Sequence, residues 1–133
     1  MLDYEMFNPY EGLIFDMDGT LIDTMPVHAQ AWTMVGERFG YEFDCQIMYN
    51  FGGATVRTIA GEMMKAANMP LDRIEDVLAA KRELSYQLIP TQSKLLPTFE
   101  IVKSFHQKKQ IALGSGSHRK IIDMLMDKLA IAP

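Results

Sequence analysis

Cysteine is nearly absent from these 133 residues: Cys45 stands alone. It has no second thiol to pair with inside the chain, which excludes an internal disulfide and fits a reducing compartment. No basic residue adjoins it, so it reads as a packed or surface thiol rather than a nucleophile. Long apolar runs are missing too. No stretch approaches the roughly 20 residues a membrane span needs, and the first residues lack the basic-then-apolar order of a signal peptide. A cytoplasmic chain with no membrane partner is therefore expected. Thirteen Lys and Arg against seventeen Asp and Glu leave a formal charge of −4. No basic stripe alternates with aromatics, which argues against a nucleic-acid partner.

What is present describes an ordinary globular protein. Hydrophobic residues make up 48% and charged residues 23%, in a chain long enough for one domain with a sizeable core, or for one and a fraction. Eleven methionines are many for this length. Met34, Met63 and Met126 fall at core-facing helical positions, where a thioether fills irregular gaps.

The most informative stretch is Leu13-Ile14-Phe15-Asp16-Met17-Asp18-Gly19-Thr20. An apolar run too short for a helix ends in two carboxylates one residue apart, as when a buried strand delivers acids to a sheet edge. Extended geometry sets Asp16 and Asp18 on the same side, and Gly19 lets the chain turn away. Such a pair repels unless a cation binds it or one member holds a proton. Both suit phosphoryl transfer: a hard cation such as Mg2+ accepts carboxylate and phosphate oxygens together, and a protonated acid can serve a leaving group. A solvated turn after a core strand is the alternative.

Helical periodicity follows. Val27, Ala31, Val35 and Phe39 recur at four-residue intervals between a candidate cap, Thr24, and a candidate stop, Gly40. Residues 41–53 read as a connection ending in Gly52-Gly53. A second helix carries Val56, Ile59, Ala60, Met63 and Ala67, with Arg57 one position off the stripe. A third opens at Pro70 with Ile74, Val77, Leu78, Leu84 and Leu88 inward and Asp72, Arg73, Glu75, Asp76, Arg82 and Glu83 outward. Pro90 and Pro97 bracket a linker. A short helix with Phe99, Val102 and Phe105 inward then leads to a second buried strand, Ile111 to Gly114, and strand-helix-strand implies parallel pairing. Gly114-Ser115-Gly116-Ser117 ends it, where glycine amides, serine hydroxyls and the helix starting near His118 could hold a phosphate or simply form a cap. Ile121, Ile122, Leu125, Met126 and Leu129 make a last amphipathic helix.

The strand with Asp16 to Thr24 resembles the first signature of the haloacid dehalogenase superfamily, in its sugar-phosphate phosphatase and beta-phosphoglucomutase branch, and the resemblance runs from about Tyr10 to the end. It implies an α/β fold, a Rossmann-like parallel-sheet core, incomplete in this chain, with an inserted all-helical cap. The core would be residues 1–25 and 93–133, and the cap 26–92. It implies that Asp16 becomes an aspartyl phosphate, that Asp18 is the acid/base, and that both help bind Mg2+. Ser115 fits the second signature, with Gly116 and Ser117 beside it. Thr24, His28 and Arg57 join these as phosphate- or substrate-binding residues, while Thr55 stands where the family often has an arginine and His118 where the mutases often have lysine. The implied partner is a small phosphorylated sugar. Phosphatases of fructose 1-phosphate look closest, with a phosphoglucomutase-type transferase or a non-catalytic fragment as alternatives.

The family also uses a lysine and further carboxylates at the ends of later strands. Only 18 residues follow Ser115, and Lys120 and Lys128 lie on the last helix. The sequence is thus expected to be the N-terminal part of a longer enzyme, with little activity alone and an exposed strand edge prone to association.

Overall fold

The computed structural model describes residues 4–129, which divide into two units: one runs through Thr24 and resumes over Lys94–Ser115, the other holds Met25–Ser93 and the chain from Gly116.

The first unit is built on two parallel strands. β1 (Gly12–Asp16) pairs with β4 (Gln110–Gly114), from Gly12 opposite Gln110 to Asp16 opposite Gly114, as the strand-helix-strand pattern predicts. Exposure alternates along β1: Phe15 is buried while Ile14, on the other face, is 81% exposed. Two further strands, β2 (Ile22–Asp23) and β3 (Lys94–Leu95), make a short antiparallel ladder. They lay hidden in sequence because two residues carry no period. α5 (Phe99–Phe105) buries Ile101 and Phe105, one turn apart, and leaves Phe99 and Val102 half-buried. Before β1, a 3-10 turn over Tyr4–Phe7 sets the Phe7 ring edge-on to Phe105 at 6.0 Å, and Lys109 donates to the carbonyls of Asn8 and Tyr10.

The second unit is helical. α1 (Met25–Phe39) buries Val27, Ala31 and Val35 of the predicted stripe together with Trp32, leaves Phe39 half-buried, and ends at Gly40 with φ +80°. The segment read as a mere connection contains α2 (Gln46–Asn50), whose buried Met48 ties it to the core. α3 (Val56–Ala66) starts at Thr55, whose Oγ1 accepts from the Thr58 amide at 3.2 Å. α4 (Ile74–Gln92) follows a 3-10 turn at Leu71–Arg73. It runs through Pro90 instead of stopping there. So near the end, proline forfeits a single backbone bond, and Ile89 and Pro90 are both buried. α6 (Arg119–Leu129) buries Ile121 and Leu125, and its Lys120 ammonium lies 4.4 Å from the Tyr86 ring of α4. That packing joins α6 to the other helices of this unit.

Methionine is prominent in the helical core, where Met63 and Met64 are wholly buried near Trp32 and Phe43, whose rings meet at 6.4 Å. Gly36 is a tight point: a Cβ there would stand 2.8 Å from the Tyr41 carbonyl oxygen. Gly36→Ala is expected to cost about 1–3 kcal/mol by overpacking. Gly61→Ala on α3, where an added Cβ meets nothing within 4 Å, is expected to gain up to about 1 kcal/mol of helix propensity. Urea midpoints of the two variants should move in opposite directions.

Candidate active site

In the first unit the acids follow from strand geometry. Met17 is fully buried, while Asp16 is exposed and Asp18 half-buried. Alternation along β1 sets Asp16 on the face opposite Phe15. The chain then folds back on itself. The amides of Thr20, Leu21 and Ile22 all donate to the Met17 carbonyl, at 3.1–3.2 Å, and the Gly19 amide donates to Ile22 O at 2.8 Å. Gly19 permits this turn with φ +75°.

Thr24 is wholly buried, and its hydroxyl donates to Asp18 Oδ1 at 2.5 Å. The residue that the sequence suggests as a helix cap thus holds one of the acids in place. Opposite Asp16 lies Gly114, and Ser115 is the next residue. The parallel register therefore brings Asp16, Asp18, Thr24 and Ser115, residues far apart in the chain, into one unit.

The other candidates fall in the helical unit, where a cavity of about 380 Å3 is lined by His28, Arg57, Gly116 and Ser117. That volume suits a small metabolite. Arg57 pairs with Glu75 at 2.6 Å, with both side chains well exposed. His28 Nδ1 lies 3.1 Å from Lys81 Nζ, within hydrogen-bond distance.

Lys81 is the residue that sequence reasoning missed. It is 4% exposed, lines the cavity, donates to Ser85 Oγ at 2.8 Å, and lies 5.1 Å from the Trp32 ring centre. A signal was available. Position 81 falls four residues after Val77 and three before Leu84, so it is a charge placed on the apolar stripe of its helix. A buried ammonium is costly unless held by acceptors, and such groups cluster at functional sites. Arg82, Tyr86 and His118 also line the cavity.

Known proteins match this chain. The family model described as haloacid dehalogenase-like hydrolase matches residues 10–132. An uncharacterized protein of Haemophilus influenzae is 96% identical over the whole chain, which covers 66% of that protein. The fructose-1-phosphate phosphatase YqaB of Escherichia coli is 33% identical over 126 residues, 95% of this chain and 66% of the relative. The chain thus spans about two thirds of the length of these relatives. The crystal structure of a hydrolase from Pseudomonas syringae superposes with a TM-score of 0.73 at 15% identity, over 90% of this chain and 56% of that one, a likeness of fold.

Lys81 offers a test of how the helical unit is held together. Lys81→Ala removes a buried stem packed on Trp32 and is expected to destabilise the chain by roughly 2–5 kcal/mol. Lys81→Met keeps most of that volume and is expected to cost clearly less. Chemical denaturation of the two variants side by side measures the difference.

Proposed function

The chain belongs to the haloacid dehalogenase-like hydrolases, and on that premise we propose that it carries the nucleophile and the acid/base of a phosphatase acting on small sugar phosphates. The observation that carries this reading is the register of β1 and β4, with Asp16 beside the strand end that leads into Ser115, and Asp18 held by Thr24.

The chemistry follows from these groups. An Asp16 carboxylate oxygen attacks phosphorus, the phosphorus–oxygen bond to the sugar breaks, and an aspartyl phosphate forms. Asp18 gives its proton to the departing sugar oxygen. As a carboxylate it then takes a proton from water, which attacks the aspartyl phosphate, frees inorganic phosphate and restores Asp16. Ser115 donates to a phosphoryl oxygen. Thr24 limits the rotamers of Asp18 by its hydrogen bond to one carboxylate oxygen.

The oxygens on Asp16 and Asp18 suit Mg2+, which needs only one or two carboxylates and completes its shell with water and phosphate. No group of three or more His, Cys, Asp or Glu among the described residues could hold a metal by itself. The Asp16 carboxylate and the Asp18 backbone carbonyl would hold the ion, which supplies positive charge against the phosphoryl oxygens. Phosphoryl transfer draws most of its acceleration from such neutralisation. Asp16, Asp18 and Ser115 supply no cation of their own, so the 133 residues alone are expected to turn over sugar phosphates far more slowly than the longer Haemophilus influenzae relative.

Selectivity is assigned to the helical unit, with His28, Arg57, Lys81, Gly116 and Ser117 as substrate-binding residues. Fructose 1-phosphate is the leading candidate, supported by the name of the Escherichia coli relative.

Rapid-quench labelling tests the nucleophile. In the longer relative, replacing the aspartate that corresponds to Asp16 by asparagine is expected to abolish the acid-stable phosphoenzyme and leave the fold intact. A label that survives overturns the assignment. Asp18→Asn is expected to slow both formation and hydrolysis of the phosphoenzyme, by roughly 10²- to 10⁴-fold. Arg57→Gln and His28→Gln should weaken use of fructose 1-phosphate more than use of p-nitrophenyl phosphate, seen in kcat/KM for the two esters. Equal losses on both would place these residues in folding or in the chemical step.

A further inference from the structure

Lys81 is buried, yet a lysine side chain has four rotatable bonds and about 2 kcal/mol of rotamer entropy to lose before its charge points in one direction. The structure shows what holds it. Ser85 is 6% exposed and stands one turn later on α4, and its Oγ lies 2.8 Å from Lys81 Nζ. Residues i and i+4 share a helix face, so this contact is built into α4 alone. His28 Nδ1, 3.1 Å from the same nitrogen, comes from α1, and the Trp32 ring of α1 lies 5.1 Å away. Ser85, His28 and Lys81 all line the 380 Å3 cavity, and among the described residues that do so there is no Asp or Glu.

We infer that Ser85 is the positioning residue of Lys81, and that through this hydroxyl it sets the preference of the cavity for a phosphorylated sugar over a small generic phosphate. This rests on the substrate-binding role proposed for Lys81. The hydroxyl oxygen and His28 Nδ1 both stand within hydrogen-bond distance of the ammonium, which restricts its orientation. A preorganised donor repays more of its bond energy as affinity than one that must be ordered on binding. A generic phosphate that does not depend on Lys81 gains nothing from this order, so removing the hydroxyl reads out as lost discrimination.

The test is made on the full 133-residue chain and does not require turnover. Dissociation constants for fructose 1-phosphate and for phenyl phosphate are measured by calorimetry in wild type, Ser85→Ala and Ser85→Thr. In parallel, NMR follows proton exchange at the Lys81 ammonium. Ser85→Ala is expected to weaken fructose 1-phosphate roughly tenfold, the scale of one hydrogen bond to a charged group, with phenyl phosphate unchanged within about twofold. The ammonium protons of this variant should exchange faster. Threonine, which restores the hydroxyl, should return both quantities toward wild type.

Equal weakening of the two ligands, threonine no better than alanine, or exchange as slow in Ser85→Ala as in wild type would each overturn the inference. Wild type that fails to discriminate between the ligands would do the same. A chain that discriminates as expected, but whose longer relative forms no phosphoenzyme, would leave this inference standing and remove the proposed reaction.

Discussion

The parallel ladder between β1 and β4 is the constraint on which the proposed chemistry depends. Parallel strands cannot be joined by a tight turn, so the chain must travel between them and return in register. Here it returns with Gly114 opposite Asp16. A slip of one residue would reverse every side chain on β1, burying Asp16 and exposing Phe15. Burial of Phe15 and Met17 therefore fixes the direction of the acids as firmly as it fixes the core. The tight loop beyond Asp18, with three amides on the Met17 carbonyl, extends that control past the end of the strand.

A second constraint operates in the helical unit, where polar groups are arranged as a set. Buried Lys81 and Ser85 and half-buried His28 stand at hydrogen-bond distance beside Trp32. Such a network is stable only when each member has its partners, since a buried donor left alone costs far more than a formed bond returns. The same requirement gives the cavity wall a defined charge at a defined place. The first unit thus offers carboxylate oxygens at a strand end, whereas the second offers an ammonium and imidazoles that can hydrogen-bond a polar ligand.

Much of the fold was legible because periodicity is a strong signal over long segments. α1 and α3 follow most of their stripes, though Val56, at the first turn of α3, is exposed and Phe39 and Ala67 are half-buried, and their ends fall at Gly40 and near Asn68, the latter in the left-handed region at φ +58°. The strand carrying Asp16 and the one before Ser115 were legible as short apolar runs, and their pairing as parallel followed from the helix between them. Short elements were not. α2, β2 and β3 are too brief for a period to show, and tertiary contacts alone stabilise them. Pro90 misled because proline weakens a helix by what it removes, and near the end of α4 it removes little. The grouping of α6 with the helices depends on contacts with α4 that no local pattern reports.

The candidate site divides in the same way. Asp16 and Asp18 stood out in the sequence because the end of an apolar strand and a turn-forming glycine are local properties of the backbone, and Ser115 was singled out by the resemblance to the family's second signature. The sequence also determined the family resemblance, the acidic balance and the run of helices. Only the tertiary structure decided that the Thr24 hydroxyl serves Asp18, that Lys81 is buried, and that Ser85 and His28 bracket its ammonium. The reason is physical. Backbone geometry and periodicity act over a few residues, but the partner of a buried polar group is chosen by packing between segments far apart in the chain, and that choice exists only once the core has closed.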